Sequence, residues 1–230
     1  MTKIESIKET LRNNPAYRNN FIEALVAFEK KTGHPELNVR DTVSGPLADE
    51  LFMGEHFSKT LQNGLKINFV YNSKIAREFL LSDPAIPDHV WEPQTTKLLL
   101  HFSNNAKNVI IAGAYFGDQA IPVANNIKGS GICHTFEPNK NNSDLIIENA
   151  RLNKLDNILI NNLALWNKSN EKLIFEGEDA LASTVEATNA AANVLHTITI
   201  NDYVTQNKVG KVDLLMIDVE GRNKSAAGCG

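Results

Sequence analysis

Three carboxylates follow strand-like runs and so stand where chemistry is done in a sheet-based fold. Glu137 closes ICHTFE, and Asp218 and Glu220 follow LLMI in IDVEG. A carboxylate is an acceptor-only group when ionised, and two adjacent hydroxyls of a ribose can both donate to it. That is the chemistry expected of Glu137, the bland alternative being an ordinary surface glutamate. Asp218 suits contact with a substrate ammonium group or orientation of an acceptor hydroxyl, the alternative being a cap on the following turn. Glu220 suits a general base or a hydrogen-bond acceptor for substrate. A partly desolvated carboxylate has a raised pKa and can take a proton while a new bond forms.

Such groups work only if the backbone brings them together. Asn108–Ala112, NVIIA, is a short β-branched run of the kind that forms a buried parallel strand. Gly113-Ala-Tyr-Phe-Gly117 then turns the chain. Its glycines allow a sharp bend and the close approach of a ligand. Asp118 is a candidate cap for the helix that follows, favoured also by the helix dipole. Ala120, Ile121, Val123, Ala124 and Ile127 give that helix an apolar face, and Gly129–Gly131 closes it. Ile132–Phe136 is the next strand, with Glu137 just past its carboxyl end.

In doubly wound sheets, ligands sit outside the carboxyl ends of the strands. The unit therefore reads as a nucleoside-binding half-fold. A dinucleotide fingerprint would show GxGxxG, but GAYFG lacks the third glycine. This favours S-adenosylmethionine over NAD as the cofactor. The cofactor-binding set expected is Ala112, Gly113, Ala114, Tyr115, Gly117, Asp118, Glu137, Pro138, Asn139 and Asp218, with Asp218 and Glu220 as the catalytic pair.

The ordered set GAYFGDQA, FEPN, ENARLNKLDN, TITINDYV and IDVEG, within about residues 91–221, resembles the FkbM family of S-adenosylmethionine-dependent methyltransferases. The resemblance implies a Rossmann-like α/β core with a parallel sheet of order 3-2-1-4. It also implies methyl transfer to a hydroxyl of a sugar, glycan or similar small metabolite. By the same resemblance, Trp91-Glu-Pro93 would close over the cofactor; a helix-start proline beside a packing tryptophan is the other reading.

The chain departs from the pattern in two ways. Ile111 stands where the family's first strand usually carries Asp, with Asp118 as the substitute. After IDVEG come Arg222 and Asn223, and the nine residues RNKSAAGCG show no apolar period. The expectation is a core shortened at its C-terminus, with later strands missing. The fourth strand would then be an exposed edge through which copies self-associate. A non-catalytic remnant, or a binding module with a partial nucleoside pocket, is the main alternative function. An NAD(P)-dependent enzyme is a weaker one.

The chain has 230 residues, 42% hydrophobic and 22% charged, in the ordinary range for globular proteins. A net charge of −4 argues against nucleic acid as a partner. No apolar run is long enough to span a bilayer, and the N-terminus lacks a signal-peptide core. With two cysteines, Cys133 and Cys229, and no zinc-type spacing, a disulfide framework and a metal site are not expected. A cytoplasmic location fits. His101, His134 and His196 are isolated and read as packing or surface residues.

Residues 1–88 form a mixed α/β extension ahead of the core at 89–230. In it, 3–13, 16–31, 49–54 and 73–81 read as helical, 65–71 as a strand, 35–49 as loop and 82–88 as a turn-rich link. Gly33-His-Pro stops the second helix. Further helices are expected at 95–102, 142–152 and 202–207, the last capped by Asn201 or Asp202. Strands are expected at 158–161 and 211–217, with an inserted hairpin from 172–175 and 194–200. The 176–193 link between the hairpin strands reads as a loop or a short helix.

Overall fold

The computed structural model describes residues 2–32, 38–82, 91–176, 183–186 and 194–219. The helix stop at 33–35, most of the 82–88 and 176–193 links, Glu220, Gly221 and the nine C-terminal residues lie outside these. The chain divides into two compact units, Met1–Gly64 with Asn68–Trp91, and Leu65–Ile67 with Glu92–Gly230.

Helices α1 (Lys3–Asn13), α2 (Pro15–Thr32), α3 (Gly45–Phe52) and α4 (Lys74–Leu81) lie in the N-terminal stretch, with strands β1 (His56–Thr60) and β2 (Lys66–Val70) paired between α3 and α4. A capping box starts α1, where Thr2 and Glu5 satisfy each other's backbone N–H groups. The expected loop at 35–49 is instead helical from Val39, with a π-helical turn, Arg40–Ser44, running into α3. Arg40 explains why a polar segment winds up here. Its guanidinium reaches Glu29 at 2.6 Å, Glu78 at 2.5 Å and the Leu81 carbonyl at 2.9 Å. Phe52, Phe57 and Tyr71 meet edge to face in the core of this unit. The β1 strand was not anticipated, because HFSKT buries only Phe57 fully.

The second unit holds the site. It runs α5 (Pro93–Ser103), β3 (Asn108–Ala112), α6 (Ala120–Asn126), β4 (Ile132–Phe136), α7 (Lys140–Leu152) and β5 (Ile158–Asn161). Then come β6 (Ala164–Leu165), β7 (Lys172–Glu176), β8 (Ser183–Glu186), β9 (Val194–Ile198), α8 (Ile200–Gln206) and β10 (Leu214–Ile217). The main sheet is parallel in order β5-β4-β3-β10, which is the expected 3-2-1-4. Val109 to Ala112 are almost wholly buried, as a central strand covered on both faces requires. On one face Ile110, Ala112 and Phe136 pack with Tyr203 of α8.

Several boundaries differ from expectation. Residues 176–193 are not only a loop or helix, since β8 pairs antiparallel with β7. The smaller sheet has order β6-β9-β7-β8, with β7 and β9 antiparallel as the hairpin reading required. Helix α8 starts two residues earlier than expected because Thr199, rather than Asn201 or Asp202, caps it by accepting from Asp202 N–H at 3.0 Å. Asp118 does not cap α6. A tight turn, with Gly117 N–H donating to Ala114 O at 2.7 Å, delays the helix to Ala120, and Gln119 precedes it without a side-chain cap. That helix ends at Asn126, before Gly129.

Candidate functional site

Strand register sets the site. Ile217, Ala112, Phe136 and Asn161 lie side by side as the last residues of β10, β3, β4 and β5. The next residue of each strand therefore falls on one carboxyl edge: Asp218, Gly113, Glu137 and Asn162. This is the edge at which such sheets hold ligands.

The turn after β3 is tied down on the sheet side by β4. Phe136 O accepts from Gly113 N–H at 2.9 Å and from Ala114 N–H at 3.2 Å. Tyr115 has φ +47°, and its N–H donates to Glu137 Oε2 at 2.8 Å. Gly113 has a reason to be glycine that differs from ligand approach. With φ +76°, a Cβ there would lie 1.7 Å from the Asp218 carbonyl oxygen. The space is already taken by the end of β10, whose Asp218 N–H donates to Ala112 O at 3.0 Å. Gly117, at φ +91°, sits against Ile121 and Ile146.

Glu137 is buried and is pushed up to about 7 by desolvation, against the pull of three hydrogen bonds. Its Oε1 accepts from Asn139 N–H and its Oε2 from Tyr115 N–H, both at 2.8 Å, and the Asn142 side chain bonds to it as well. A carboxylate offers about four lone-pair sites. Three are used, so about one is left for a ribose hydroxyl rather than the two the sequence suggested. Asn139, expected at the cofactor, caps α7 with its side chain, accepting from Asn141 N–H at 2.9 Å. Pro138 presents its carbonyl to Asn162 Nδ2 at 2.8 Å.

Asp218 is exposed at the end of β10, unlike Glu137. Glu220 lies outside the described residues. Asp118 is buried beside the turn, and Ile111 is buried within β3. Pro93 opens α5, where Glu92 has φ +47°.

Several asparagines that hold the edge do not stand out in the sequence. Asn149, wholly buried in α7, donates from Nδ2 to Phe116 O at 2.9 Å. Asn162 Nδ2 also reaches Glu137 O at 2.9 Å. A polar residue on an otherwise apolar helix stripe, as Asn149 is beside Leu145 and Ile146, was the available signal. His134 is buried as packing, with its pKa lowered by desolvation. Its Nδ1 meets the Tyr203 hydroxyl at 2.9 Å, which also accepts from Asn161 Nδ2 at 3.2 Å. Among the described residues, no group of three or more His, Cys, Asp or Glu side chains could hold a metal ion, and no helix is long and apolar enough to cross a membrane.

Residues 112–224 match the family model described as Methyltransferase FkbM domain. No curated protein matches the chain. Among solved structures, an O-methyltransferase from Bacillus cereus in complex with SAH is similar at 18% identity and a TM-score of 0.36. The match covers 63% of this chain and 55% of that one, so the chain spans about half the length of that relative.

Proposed function

We propose that this chain, whose residues 112–224 match the FkbM methyltransferase domain model, is an S-adenosylmethionine-dependent O-methyltransferase. The observation that supports this best is the shared edge. Register puts Gly113, Glu137 and Asp218 one residue past the ends of three adjacent parallel strands. The donor set fits the cofactor. Glu137 keeps an acceptor site for a ribose hydroxyl, and exposed Asp218 offers a carboxylate to the amino group of the methionine end.

The cofactor supplies an activated methyl group. The chain's task is to hold the acceptor oxygen in line with it and to remove the acceptor's proton as the bond forms. Asp218 orients the acceptor hydroxyl or the amino group, and Glu220 takes the proton. The acceptor is a hydroxyl of a sugar, glycan or similar small metabolite. The protein acts in the cytoplasm, where a buried, unpaired Cys133 is at home. Copies meet through the outer edge of β10, which among the described strands pairs with β3 alone.

The test is transfer of a labelled methyl group from S-adenosylmethionine to a panel of sugars and small alcohols. The proposal expects methyl ether and S-adenosylhomocysteine in equal amounts. Tight cofactor binding without transfer to any hydroxyl would favour a binding module instead. Sedimentation at several concentrations reads the self-association, and a monomer throughout would remove that part.

A further inference from the structure

Helix α7 addresses the cofactor edge with one face. Asn142, Ile146 and Asn149 recur at spacings of four and three, which puts them on a single stripe. Each meets a different part of the edge. Asn142 bonds to the Glu137 carboxylate. Ile146 packs where a Cβ on Gly117 would come within 3.4 Å of it. Asn149, wholly buried, donates to Phe116 O at 2.9 Å. The same turn is held from the sheet by Phe136 O and by Glu137. Its backbone is thus fixed from two sides, and Asn149 is the buried polar hold on the helix side.

We infer that Asn149 is a positioning residue for cofactor binding, acting through the Phe116 carbonyl to set the turn 113–117 against α7. The inference rests on the reading that this turn holds S-adenosylmethionine. A buried mid-helix asparagine is a poor choice for helix stability alone. What it supplies is a donor aimed at a carbonyl of the turn. Without that donor the Phe116 carbonyl loses this hydrogen bond, and the helix-side hold on the turn is weakened while the sheet-side bonds remain. The effect falls on the affinity for the cofactor, not on the chemical step, because Asn149 meets the turn and not the reacting atoms.

Asn149→Leu keeps the side-chain volume and removes the amide donor. The expected result at pH 8 is binding of S-adenosylhomocysteine weakened about three- to tenfold, the range for one hydrogen bond. KM for the methyl donor should rise by the same factor, with kcat and acceptor KM unchanged. Asn149→Ser, which withdraws the amide without adding bulk to the core, carries the same test if Asn149→Leu does not fold. Equal affinity in a folded variant, or a fall in kcat at constant KM, overturns the inference while leaving the cofactor reading intact. Wild-type protein that binds no S-adenosylhomocysteine overturns both.

Discussion

The ends of β4 and β10 present two carboxylates on one edge, yet the chain treats them in opposite ways. Glu137 is buried, and its side chain is the acceptor to which the turn is fastened. Asp218 leaves its side chain exposed, and its main chain does the holding: the N–H on Ala112 O and the carbonyl filling the space beside Gly113. Burial raises the pKa of a carboxyl and lets a few fixed donors decide its state; exposure leaves a carboxylate cheap to ionise. One end is built as a buried socket and the other as a solvent-facing contact. Acid at a strand's end is therefore no single role, and the backbone around each one decides which it takes.

The sharpest way to break the contrast is at Gly113. Gly113→Ala puts a Cβ onto the Asp218 carbonyl and a side chain at positive φ. Left-handed backbone alone costs about 1–2 kcal/mol, and displacing a strand end adds to it. We expect about 4 kcal/mol of lost stability in urea unfolding. A loss under 1 kcal/mol, with cofactor affinity alone reduced, would return Gly113 to the role of a ligand-approach glycine.

Next in size is the titration of Glu137. Its folded pKa of about 7 lies above the 4.5 of the free side chain. The folded state therefore holds the proton more tightly, and stability from this group is full below 4.5 and is lost as pH rises through 7. The difference amounts to about 3 kcal/mol. Glu137→Gln should flatten this part of the stability profile between pH 4.5 and 7. An unchanged slope would mean that another group titrates there.

Tyr203→Phe should cost about 1 kcal/mol, because it removes the hydroxyl between His134 and Asn161 while keeping the ring against Phe136. Thermal unfolding reads this directly, and no change would show that the buried polar chain under the sheet adds nothing net. Asp218→Asn should move stability by less than about 0.5 kcal/mol, as exposed substitutions do. It should still lower turnover or cofactor affinity several-fold. A destabilisation as large as the contribution of the Glu137 titration would erase the contrast between the two ends.

How much was legible beforehand follows the same division. Runs such as NVIIA and ICHTF announce buried strands by composition, and the order of the parallel sheet came with the resemblance. Positions one past each strand end were legible too, since strand ends count them off. Hidden were features that depend on a partner distant in sequence. The loop reading at 35–49 failed because Arg40 draws its partners from residues 29, 78 and 81. Asp118 read as a cap because nothing local announces the Ala114–Gly117 turn that delays the helix. Glu137 looked like a free ribose acceptor because the donors that claim it, Tyr115 N–H and Asn139 N–H, are backbone groups that every residue has.

We propose that Glu137, in its ionised form, holds the ribose of S-adenosylmethionine. Calorimetric titration with S-adenosylhomocysteine from pH 8 down to pH 6 tests it most directly. A ligand hydroxyl donating to Glu137 favours the ionised state, so affinity should fall as pH drops below about 7, approaching tenfold per unit. Glu137→Gln should bind more weakly at pH 8 and lose most of the pH dependence. Affinity that is equal at pH 8 and pH 6 in the wild type, or binding by Glu137→Gln as tight as the wild type at pH 8, would contradict it.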